Sequence, residues 1–140
     1  MLKIVKFGGS SLADAEHFKK VYKIVKADPD RRYVIPSAPG KRYSEDTKVT
    51  DMLYNCYELA SEGLDFDEQF CAIEKRFTDI IDDLGLKLDL SKEFAKIRSA
   101  FENAAGRDYA ASRGEYLNGI ILANYLGFEF VDAAKCVRFN

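Results

Sequence analysis

Lys6, Gly8, Gly9, Ser10 and Ser11 crowd into one short stretch, directly behind an apolar run rich in β-branched residues. Residues 3–12 read Lys-Ile-Val-Lys-Phe-Gly-Gly-Ser-Ser-Leu, the pattern of a strand, a tight turn and a helix start. Without Cβ atoms, Gly8 and Gly9 let the backbone adopt φ > 0 and approach a ligand closely. The N–H groups of Gly8, Gly9, Ser10 and Ser11 could then line a concave anion site at the N-terminus of the next helix. Lys6 stands just before the glycines, near the C-terminal end of the strand, where open α/β sheets bind ligands. A lysine there is a point charge suited to a transferring phosphoryl group. The spacing is neither Gly-x-Gly-x-x-Gly nor Gly-x-x-x-x-Gly-Lys-Ser/Thr, so neither of those phosphate mechanisms follows from it. From the residues alone, the stretch is either an anion site or a βα turn whose glycines serve geometry, with Lys6 solvated.

Three further groups could do chemistry. Ser37-Ala38-Pro39-Gly40 follows a short strand over residues 32–36, and loops at such strand ends carry ligands. Thr50-Asp51 opens a helical pattern, so Thr50 suits either ligand contact or an N-cap role. Ser112-Arg113-Gly114-Glu115 lies inside a helical pattern over residues 108–126. A mid-helix glycine costs about 1 kcal/mol relative to alanine, which calls for a packing or ligand reason.

The elements that must position these residues follow from hydrophobic period. Phe18, Val21, Tyr22 and Val25 mark one buried face of a helix over 14–26, capped by Ser11 or Asp14 and stopped by Asp28-Pro29-Asp30. His17 falls off that stripe and reads as solvated. The strand over 32–36 should pair in parallel with the first strand by a right-handed crossover. Residues 41–48 are polar and lack a helical period, which predicts a mobile loop. Val49, Met52, Leu53, Cys56, Tyr57 and Ala60 share a helix face that ends near Gly63. Phe66, Phe70, Ile73, Phe77, Ile80, Ile81 and Leu84 trace a long helix ended by Gly85, and Phe94, Ile97 and Phe101 a shorter one after Ser91. Neither helix shows chemistry; Asp79, Asp82 and Asp83 read as a solvated face and not as a metal site. A further strand is predicted over 128–131, and a last extended piece over 136–139.

With 140 residues, 47% hydrophobic and 31% charged, the chain suits one globular domain with a real core. A net charge of −2 argues against a nucleic-acid partner, and no apolar run is long enough to span a bilayer. Met1 leads straight into the first strand, leaving no room for a signal peptide, so a cytoplasmic location is expected. Cys56, Cys71 and Cys136 are odd in number and unpaired in spacing, and His17 stands alone as histidine. Buried, reduced thiols are therefore expected, with no metal site.

Lys6-Phe7-Gly8-Gly9-Ser10-Ser11 resembles the opening signature of the aspartate kinases, within the amino-acid kinase family. The resemblance continues in order through the strand running into Ser37-Ala38, through Thr50-Asp51, through Ser112-x-Gly114-Glu115 and into Val131-Asp132-Ala133. Pro36 departs from the aliphatic residue usual there, and the loop before Thr50 is longer than in many relatives. The resemblance implies a three-layer αβα, carbamate kinase-like fold with a mainly parallel sheet. Residues 1–140 would be its N-terminal, aspartate-binding part, without the nucleotide half or the ACT regulatory domains. It implies transfer of the γ-phosphoryl of ATP, supplied with Mg²⁺, to the side-chain carboxylate of L-aspartate, the first step towards lysine, threonine and methionine. It further implies that Lys6 is catalytic, and that Lys6, Gly8, Gly9 and Ser10 hold phosphate. Ser37, Ala38, Thr50 and Glu115 would hold aspartate, and the full-length parent would be a homo-oligomer. The 140 residues alone are expected to be inactive. Another amino-acid kinase, such as a glutamate 5-kinase or carbamate kinase relative, and a non-catalytic binding fragment are the alternatives.

Overall fold

A computed structural model describes residues 1–132. Strand β1 (Lys3–Lys6) leads through a 3-10 turn (Gly9–Leu12) into helix α1 (Ala15–Lys26), and strand β2 (Arg31–Ile35) follows. Helices α2 (Val49–Ser61), α3 (Asp67–Asp83), α4 (Ser91–Glu102) and α5 (Arg107–Leu126) complete the described chain. β1 and β2 pair in parallel, with Ile4 opposite Tyr33, Val5 opposite Val34 and Lys6 opposite Ile35. Strand side chains alternate between faces. Val5 and Val34 accordingly pack on the helices, while Ile4, Tyr33 and Ile35 stay exposed on the other face.

The expected three layers are thus two among the described residues: a two-stranded parallel sheet and helices on one of its faces. Residues 128–131 form no strand, because they have no ladder partner; the sheet of described residues ends at β2. The extended piece over 136–139, together with Ala133 and Cys136, lies outside the described residues.

The core is aromatic. Phe18, Phe70, Phe77 and Phe101 are fully buried, and Phe101 meets Phe70 edge to face at 6.1 Å. α2 is the central helix and packs against α5, α3 and α4. Tyr22 departs from the predicted buried face: it is part exposed and lies against Tyr125 at 5.1 Å. Cys56 is buried, and burial pushes its thiol up to about 11. Cys71 is exposed, contrary to the expectation of buried thiols, because it lies on the solvent side of α3.

α1 is capped by Asp14, whose carboxylate accepts the His17 N–H at 3.0 Å. The His17 ring also turns back on that carboxylate, with Nδ1 2.6 Å from Oδ1, so His17 is half-buried in a capping contact and not simply solvated. Gly127, in the left-handed region at φ 74°, ends α5, and its N–H donates to Ala123 O.

Candidate functional site

The two strands run on beyond their ends as neighbouring loops. Phe7 N–H donates to Ile35 O at 2.9 Å, and Gly40 N–H donates to Gly9 O at 2.9 Å. This contact explains two glycines. A Cβ at Gly9 would lie 2.9 Å from Ala38 O, and one at Gly40 would lie 2.7 Å from the Gly9 carbonyl carbon. Backbone meets backbone there, with no flexible side chain to give way. Positive φ is not the reason: Gly8 has φ −77°, and the positive-φ glycines are Gly63, Gly85, Gly106 and Gly127.

The predicted anion site at a helix N-terminus is corrected in the same place. The glycine turn enters a 3-10 turn and not α1 itself, and Ser11 N–H is already bound to Gly8 O at 3.1 Å. The N-terminus of α1 is occupied by the Asp14 carboxylate. Burial works to raise the pKa of that carboxyl, but the His17 contacts and the nearby Arg42 outweigh it and hold the group below its usual range.

α5 supplies the opposite wall. Gly114 faces the Ser37–Ala38 loop so closely that a Cβ would lie 2.8 Å from the Ala38 Cβ and 3.2 Å from Leu53 Cδ1. The mid-helix glycine therefore has a packing reason. One turn on, the fully buried Asn118 donates from Nδ2 to Ser37 O at 2.8 Å. α5 thus holds the loop at two successive turns and presents Glu115 beside it.

Gly9, Ser10, Ser37, Ala38, Thr50, Ala111 and Glu115 line one cavity of about 570 Å³, together with Pro39, Gly40, Lys41 and Lys48. The structure thus brings together six of the eight sequence-predicted site residues. Lys6 and Gly8 do not line this cavity; both are exposed beside it, where β1 ends. Glu115 is exposed to the cavity and has no ion-pair partner among the described residues, which leaves its charge available to a cation. Thr50 sits in the first turn of α2 and is not its cap: the N-cap is Lys48, and Val49 N–H donates to Pro39 O at 3.1 Å.

The 41–48 segment is no free loop. Asp46, 7% exposed, accepts from Arg42 Nε at 2.6 Å, from Arg42 Nη2 at 3.0 Å and from Arg42 N–H at 3.0 Å. Hydrogen bonding to Arg42 holds the Asp46 carboxyl far below the usual carboxylate range. From α3, the buried Arg76 donates to Gly40 O at 2.8 Å and to Thr47 O at 2.9 Å, with Nη1 3.6 Å from Asp46. Burial depresses the pKa of that guanidinium, as does the neighbouring Arg42. Sequence reasoning missed Arg76 and Asn118. The available signal was position: Arg76 continues the Ile73-to-Ile80 buried track of α3, and Asn118 falls between Leu117 and Ile121.

Around the cavity Glu115 is the sole carboxylate, and among the described residues no group of three or more His, Cys, Asp or Glu could hold a metal. No described helix is long and apolar enough to cross a membrane.

Fold and site define an α/β unit with a cleft at the C-terminal ends of its parallel strands. Over 138 residues the chain is 36% identical to aspartokinase 3 of Bacillus subtilis, covering 94% of this chain and 30% of that protein. The crystal structure of Clostridium acetobutylicum aspartate kinase superposes with a TM-score of 0.90 at 52% identity, covering 94% of this chain and 30% of the other. Escherichia coli aspartokinase III, solved with aspartate and ADP, shares the fold at 24% identity with a TM-score of 0.72, over 91% of this chain and 29% of the other. No family model matches the chain. The chain is a homologue of the aspartate kinases, and it spans about 30% of the length of the relatives it matches.

Proposed function

We propose that these residues form the aspartate-binding part of an aspartate kinase, which transfers the γ-phosphoryl of ATP to the side-chain carboxylate of L-aspartate. The observation that carries this reading is the convergence of Ser37, Thr50 and Glu115 with the Gly9–Ser10 turn on one cavity. A relative solved with aspartate and ADP has the same fold, which is consistent with both ligands.

The chemistry asks little of the protein beyond position and charge. The attacking carboxylate is already ionised at neutral pH, so no general base is needed. Phosphoryl transfer then depends on holding the two reactants in line and on offsetting charge at the transferring group. In this reading Glu115 meets the substrate ammonium, and the Ser37 and Thr50 hydroxyls orient its carboxylates. Lys6, Gly8, Gly9 and Ser10 face the phosphates at the edge of the cleft. Mg²⁺ would come with the ATP phosphates and offset their charge. The 140 residues, at 30% of the length of the relatives, bind aspartate without completing turnover.

The division into two sides is tested by steady-state kinetics in an active kinase that contains these residues. Lys6→Met should lower kcat by about 10²–10³, as for loss of one charge-stabilising donor, with little change in the aspartate KM. Glu115→Ala should mainly raise the aspartate KM. The same pattern in both variants, or near-normal kcat for Lys6→Met, would overturn the assignment.

A further inference from the structure

We infer that Arg76 is a positioning residue for the aspartate cleft, acting through the 40–48 loop. The inference rests on the aspartate reading of that cleft. Arg76 is a guanidinium 4% exposed in the middle of α3, on a track otherwise made of Ile73, Phe77 and Ile80. Burying a charge among apolar residues is costly unless it is paired and hydrogen-bonded. Here the compensation comes entirely from one loop: Gly40 O, Thr47 O and the Asp46 carboxylate, with Met52 Sδ at 3.8 Å as a weaker contact.

The two carbonyls lie at opposite ends of the loop, so a single planar side chain ties its start to its finish. Asp46 then fastens Arg42 to the same point. What the clamp holds is the cleft wall. Gly40 packs on Gly9, and Lys41 and Lys48 line the same cavity as Glu115. Neither lysine has a carboxylate partner among the described residues, so both charges are available to an anionic ligand. L-Aspartate carries two carboxylates and one ammonium, and a cleft lined by two lysines and one glutamate matches that charge pattern. Arg76 does not itself line the cavity; it bonds Gly40, which does. It fixes the loop that brings Gly40, Lys41 and Lys48 to the lining.

The test measures L-aspartate binding by calorimetry and amide hydrogen exchange on the whole chain. Arg76→Met keeps the length and bulk of the side chain but removes its donors; Arg76→Lys keeps the charge and part of the bonding. Asp46→Asn loosens the clamp from the loop side without disturbing the α3 core, should Arg76→Met fold poorly. Loss of charged hydrogen bonds predicts exchange at Arg42 and Val49 faster by about tenfold or more, and L-aspartate binding weaker by a similar factor. Arg76→Lys should fall between wild type and Arg76→Met, and α5 amides should exchange as in wild type. A role in packing alone would leave Met as good as Lys. Unchanged loop exchange, or a loosened loop that still binds L-aspartate as wild type does, would overturn the inference. A wild type that ignores L-aspartate would instead sink the aspartate reading, and this inference with it.

Discussion

Asn118 shows how a single side chain can set a site it does not enter. It is fully buried, it donates to Ser37 O at 2.8 Å, and its Oδ1 has no hydrogen-bond partner. Replacing it with leucine keeps the volume and leaves the Ser37 carbonyl without its donor. An unsatisfied buried acceptor costs about 1–3 kcal/mol. Asn118→Leu should therefore lower stability by that amount in urea unfolding and also weaken L-aspartate binding, because the Ser37 loop is no longer held. L-Aspartate binding equal to wild type would show that the bond does not hold the loop. Ser37, Thr50 and Glu115 were legible in the sequence, since they sit in short ordered motifs, whereas Lys41 and Lys48 were read only as part of a polar loop. Asn118 and Arg76 were not legible, because their partners are backbone carbonyls far away in the chain. Such a partner has no sequence signature, and the remaining signal is a polar residue interrupting an apolar track.

At the scale of elements, hydrophobic period located every described helix, and the β-branched runs located β1 and β2. The predictions failed where tertiary contact decides. Residues 41–48 read as mobile from their composition, yet Arg76 and Asp46 tie them down. Residues 128–131 have strand composition but no neighbour to pair with among the described residues. The Gly8-Gly9 pair was legible as a tight turn, though the reason at Gly9 is close approach to Ala38 and Gly40 and not positive φ. The clamp also carries a pH signature. Hydrogen bonding to Arg42 holds Asp46 below its unfolded pKa, about 3.9 for an ordinary aspartate. Between those two values the unfolded chain binds more protons, so stability falls as pH falls. The contribution is fully present above about pH 5 and is lost progressively below about pH 4. In acid titrations followed by circular dichroism, Asp46→Asn should be less stable than wild type at pH 7, with the difference shrinking towards pH 3. A difference independent of pH would mean that the Asp46 charge is not what holds the loop.

Across the whole molecule, the sheet has one face on the helices and one open, where Ile4, Tyr33 and Ile35 are 70%, 57% and 44% exposed. The chain spans about 30% of the length of the kinases it resembles. The three-layer expectation came from that resemblance, and the described residues hold two layers of it. The cleft is nevertheless assembled from both ends of the described chain. β1 and β2 deliver the glycine turn and the Ser37 loop, α2 delivers Thr50, and α5 closes the far side with Glu115. The central claim is that this cleft recognises L-aspartate and that Glu115 reads its ammonium group. Calorimetric titration of wild type and Glu115→Gln with L-aspartate and with succinate tests it directly, because succinate keeps both carboxylates and lacks the ammonium. Wild type should bind L-aspartate more tightly than succinate by about tenfold or more, the worth of one charge-assisted contact, and Glu115→Gln should lose that preference. Succinate binding wild type as well as L-aspartate does, or Glu115→Gln keeping the wild-type preference, would contradict the account.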